Sequence, residues 1–110
     1  MAVKEAHRVV VSWRSAVVVD GHSPMQGKII AMGDSGFSML IPHTLRTGAR
    51  HRVLMEAPLG AGGQRQYLEC QATVLHSVLT HGTEFRVGFQ IDQMDSKQRD
   101  QLKSWLASRP

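Results

Sequence analysis

Cysteine is almost absent: Cys70 stands alone among 110 residues, so no disulfide can form within the chain. It falls in the alternating apolar row Leu68, Cys70, Ala72, Val74, which predicts a small core residue rather than a reactive thiol. Long apolar runs are missing too. No stretch approaches the ~18 apolar residues of a membrane-spanning helix, and MAVKEAHR leads into alternating valines instead of an unbroken signal-peptide core. These absences predict a soluble, cytoplasmic chain whose mature form starts near Met1. Aromatic residues make up only 5% of the sequence, which leaves no evident stacking ladder for single-stranded nucleic acid.

The residues of common catalytic sites are missing as well. The glycine-rich GAGGQRQ lacks the GK[ST] ending and following helix of a phosphate loop. His7, His22, His43, His51, His76 and His81 show neither the helical i, i+4 pairing nor a CxxC companion, so no metal site is expected. Gly33-Asp34-Ser35-Gly36 repeats the tetrapeptide around a serine-protease nucleophile. Such a protease needs a second barrel and an oriented base, and here Phe37 follows where that family keeps glycine. No enzymatic function is expected.

What is present is a modest basic excess, net charge +4 with a pI near 9.8. Lys and Arg are dispersed, which fits a solvated surface or an anionic partner such as a phosphorylated ligand, nucleic acid or an acidic protein face. A chain of 12.2 kDa can remove roughly 65% of its unfolded surface from water, enough for one domain spanning residues 1–110.

The periodicity is that of strands. GKIIAMGDSGFSMLI, Gly27 to Ile41, holds two apolar runs around a break at Gly33 to Gly36. The break is expected to be a tight turn, with Gly36 supplying a positive φ and the Asp34 and Ser35 side chains bonding nearby backbone N–H groups. Val9 to Asp20 alternates with a bulge expected near Arg14 and Ser15, and His51, Val53 and Met55 share a parity. Tyr67 to Leu79 alternates with Leu68, Cys70, Ala72, Val74 and Val78 on one face, and Phe85, Val87, Phe89 and Ile91 alternate without fault. The inward parities predict a core of Val11, Trp13, Ile30, Met32, Phe37, Met39, Val53, Val74, Phe85, Val87 and Phe89. Asp95 as N-cap, with Gln98 at capping-box spacing, opens a helix over 95–107 whose Leu102, Trp105 and Leu106 must dock on the barrel or on a partner. The result is a mainly β chain of six strands, with the sheet over 9–92 and one C-terminal α-helix.

Lys4-x-x-x-Arg8 before the first strand, the Ala31 to Gly36 turn, LRTGARHRVLME and FRVGFQI together resemble the PilZ domain over nearly the whole chain. The resemblance implies a six-stranded antiparallel β-barrel with a helix after the last strand. It also implies a bacterial cyclic-di-GMP receptor marked by RxxxR and DxSxxG. The ligand-binding candidates it designates are Lys4, Arg8 and Gly36. This chain departs from the pattern at three places: Lys4 replaces the first Arg, Ala31 the Asp and Gly33 the Ser. An ammonium cannot make the planar, bidentate contacts of a guanidinium. The implied function is a non-catalytic signalling adaptor with weakened or lost nucleotide binding that acts through protein contacts. A receptor still binding cyclic-di-GMP through Lys4, Arg8 and the Gly36 turn is the alternative, and a small basic barrel binding nucleic acid the second. The resemblance implies cyclic-di-GMP as a regulatory ligand in the first two readings only, and no permanent cofactor is expected.

Overall fold

The computed structural model describes residues 8–80 and 82–109. Alternation of apolar and polar side chains produces six strands: β1 Val9–Val18, β2 Met25–Met32, β3 Gly36–Ile41, β4 Arg50–Ala57, β5 Gln66–Leu79 and β6 Phe85–Met94. They pair antiparallel in the order β1-β2-β3-β6-β5-β4 and close into a barrel. One helix, α1 Ser96–Ala107, follows. The expected architecture is therefore the observed one.

Inward side chains from every strand meet on the barrel axis. Phe37 and Phe89, both fully buried, stack with ring centroids 5.1 Å apart. Burying aromatics of this size stabilises the fold by about 1.5–3 kcal/mol each relative to leaving them in water. Cys70 lies among them at 2% exposure, and burial pushes its thiol up to about 12, with Asp92 and Glu69 adding to the shift.

Three parity expectations fail at bulges. Between Ile29 and Ala31 the β2–β3 register slips, so Ile29 and Met32 both turn inward and Ile30 is only half-buried. One extra residue on a strand inverts the face of everything beyond it. In β1 the slip comes between Val10 and Trp13, earlier than the expected Arg14 and Ser15. The third slip, between Val74 and His76 in β5, leaves Leu75, Val78 and Leu79 exposed, Val78 by 48%. Val11 and Phe85 are likewise half-buried on the margin of the core rather than within it.

The helix docks on its own barrel. Asp95 caps it by accepting from the Gln98 backbone N–H at 3.2 Å. The reciprocal half of the expected capping box is not made, because Gln98 Oε1 accepts from the Glu69 N–H of β5 instead. That bond ties the first turn to the sheet. Leu102 and Leu106 are buried, and the half-buried Trp105 meets Trp13 edge-on at 5.3 Å.

Candidate functional site

Gly36 lies at the start of β3 opposite Gln90, and Phe37 and Met39 point to the core, so Gly36 and Ser38 belong to the outer surface of the barrel. In register with Ser38 are Ala31 on β2 and Gly88 on β6. Arg8, immediately before β1, crosses β2 and donates from Nη1 to Ser38 Oγ at 3.1 Å. Its Nη2 would lie 3.6 Å from a Cβ placed at Gly36. Two of the sequence-designated residues, Arg8 and Gly36, are thus brought together, and Lys4 lies outside the described residues.

The turn differs from expectation in its mechanism. Neither Gly33 nor Gly36 has a positive φ, which is found at Gly21, Gly48, Gly62, Gly63 and Gly82. Gly36 is required for a different reason: a Cβ there would collide with the Phe89 carbonyl oxygen of β6. Among the described residues no bond from the Asp34 or Ser35 side chain closes the turn. The main chain closes it, with Gly33 N–H donating to Gly36 O at 2.8 Å and Ile91 N–H donating to Ser35 O at 2.9 Å. The second bond pins the turn to β6. Sliding Asp34 and Ser35 into the places of the missing Asp and Ser would break it together with the Gly36–Gln90 register.

The patch around Arg8 is shallow because its neighbours carry little side chain. Ala31 and Gly88, in register with Ser38 on its two sides, add little or no side chain of their own. The His76 imidazole lies over Gly88, occupying the place a Cβ would take. Beyond it, Asp92 accepts from Thr73 Oγ1 and Gln90 Nε2 and pairs with Arg50 at 3.5 Å, cross-linking the outer faces of β4, β5 and β6. Such a surface offers one guanidinium, one hydroxyl and an imidazole to a flat, acceptor-rich ligand. Ser38 and His76 were not among the sequence candidates. The signal for Ser38 is its outward parity between Phe37 and Met39, whereas His76 over Gly88 is visible only in three dimensions.

The family model described as PilZ domain matches residues 3–108. No match was found among curated protein sequences. Solved structures with the same fold include the Bacillus subtilis inhibitor of motility MotI/DgrA, with a TM-score of 0.81 at 8% identity, covering 97% of this chain and 51% of that one. Escherichia coli YcgR in complex with c-di-GMP matches at a TM-score of 0.75 and 15% identity, covering 96% of this chain and 45% of that one. The PilZ domain of YcgR with c-di-GMP gives 0.67 at 15% identity, covering 96% and 89%. The chain thus spans about half the length of the first two.

Proposed function

Since the chain belongs to the PilZ domain family, we propose that it is a non-catalytic adaptor of bacterial cyclic-di-GMP signalling, holding the nucleotide weakly and acting through protein contacts in the cytoplasm. The observation that carries this reading is Arg8 laid across Ser38 and Gly36, with Ala31 rather than an acidic residue in register with Ser38. One guanidinium remains to meet phosphate or a guanine edge, while the two positions that carry Asp and Ser in the family pattern present no polar side chain. Losing two or three polar contacts at about 1–1.5 kcal/mol each weakens a ligand by roughly 30- to 2000-fold. The YcgR structures with c-di-GMP support the ligand class, and the relative named as an inhibitor of motility supports a regulatory output. The nucleic-acid reading is disfavoured because Trp13, Phe37 and Phe89 are buried and, among the described residues, Tyr67 is the one exposed large aromatic, too few for a stacking platform.

Calorimetric titration with cyclic-di-GMP tests this directly. Binding should be weak, should weaken further as salt rises, and should vanish in Arg8→Ala. Lys4→Arg, Ala31→Asp and Gly33→Ser together should tighten it at least tenfold (about 1.4 kcal/mol), and Gly33 does not have the positive φ that would strain a side chain. Tight binding by the unaltered chain that survives Arg8→Ala would place the ligand elsewhere and end this reading.

A further inference from the structure

We infer that the cleft between β1 and the C-terminal end of β4 is a docking groove for an acidic, extended peptide segment of a partner protein. The inference rests on the adaptor reading and names the chemistry of what the adaptor contacts. Pairing between β1 and β4 runs only from Ser15 to Val18 against Arg52 to Met55. N-terminal to Ser15 that pairing stops, and a cavity of about 700 Å³ opens beside β1, lined by Val9 to Arg14, by Gln26 to Lys28 of β2, by Glu56 and Pro58, and by Trp105 and Arg109 at the helix end. The β1 main chain on this side has no strand partner among the described residues, and an unpaired strand edge is a template for another extended chain.

The side chains around the cleft select the occupant's charge. Arg14, Lys28, Arg65 and Arg109 line it against a single carboxylate, Glu56, which Arg65 already engages at 3.1 Å. Arg109 is held in place by stacking over Trp105 at 4.3 Å. Val9 and Val11, half-buried against the core, supply an apolar wall. An extended peptide with alternating apolar and acidic residues meets all of these: its main chain pairs with β1, its apolar side chains cover the valines, and its carboxylates face the cations. A single-stranded nucleic acid fits less well, because the Trp105 face is covered by Arg109 and its ring already contacts Trp13 edge-on. Arg8 does not line the groove; it reaches over β2 to Ser38.

The test uses the full chain and a fluorescein-labelled peptide of alternating valine and glutamate, with the valine–lysine peptide as control and no nucleotide present. Fluorescence anisotropy should show saturable binding of the acidic peptide alone. Trp13 and Trp105, the two tryptophans of the sequence, both border the cleft, so their emission should shift on binding. Arg14→Glu with Arg109→Glu, both exposed positions, should weaken binding at least tenfold with the melting temperature unchanged, whereas Arg8→Ala should leave it intact. No binding, equal binding of both peptides, an unaffected double variant, or displacement of the peptide by a short oligothymidylate would each overturn the inference. Tight cyclic-di-GMP binding that survives Arg8→Ala would sink the adaptor reading without moving any of these readouts, so the two failures are separable.

Discussion

Along β3 every residue from Gly36 to Ile41 faces a partner on β6, from Gln90 to Phe85, whereas β1 pairs with β4 only from Ser15 to Val18. On the first side the β6 main chain comes so close that Gly36 has no room for a Cβ against Phe89 O, and the His76 side chain of β5 fills the place a Cβ would take at Gly88. On the second side the strands part, and the gap is stopped by Trp13 and Trp105, one from the sheet and one from the helix. A small barrel can therefore be closed by hydrogen-bonded register or by large side chains. The first mode leaves no room for a side chain at Gly36, and the second leaves an unpaired edge and a cleft.

Four changes bear on this contrast, in falling order of effect. Phe89→Ala removes half of the stacked pair on the tightly closed side and should cost about 3–5 kcal/mol in denaturant unfolding, while Gln90→Ala, one residue on and outward-facing, should be near neutral. Equal losses from both would show that β6 is not one-sided. Gly36→Ala should cost about 1–3 kcal/mol, because the atom it meets belongs to the β6 main chain and cannot rotate away. Trp105→Ala, on the open side, should cost about 2 kcal/mol and speed amide exchange along Val9 to Arg14 more than along β3, since what it removes is a plug rather than a ladder. Exchange rising equally on both sides would dissolve the distinction. Ser15→Ala should stabilise the chain by about 1 kcal/mol, because the Ser15 hydroxyl is buried where β1 leaves β4 and has no partner among the described residues.

Cys70 gives the smallest effect near neutral pH. Its thiol is raised from 9.0 to about 12, so the folded state favours the protonated form. That contribution is fully present below pH 9 and should be lost as pH climbs from 9 toward 12. In native protein at pH 8 the thiol should resist thiol-directed reagents and react at once in denaturant. Ready labelling of the folded chain would show that the β5–β6 wall opens.

The sheet was legible wherever alternation ran unbroken, as from Phe85 to Ile91, and the helix could be read from Asp95, Gln98, Leu102 and Leu106. It was illegible at bulges. Nothing in the letters of GKIIAM distinguishes Ile29 from Ile30 as the inward residue, because the extra residue is set by the neighbouring strand's register. Of the candidate site, Arg8 and Gly36 were legible through the family pattern, and their proximity across β2 follows from the barrel order. The unpaired stretch of β1 was not, since it depends on how far β4 follows its neighbour, a matter of tertiary geometry.

The collision awaiting any Cβ at Gly36 separates the fate of this glycine from that of the ligand. The Asp and Ser of the family pattern are already absent at Ala31 and Gly33 and the barrel still closes, but a change at Gly36 is penalised by folding whether or not a nucleotide is ever bound. Across descendants of such a gene the last letter of DxSxxG would outlive the first two. A search that scores the three equally would then count silent members as receptors, when the surviving glycine testifies only that two strands still lie side by side.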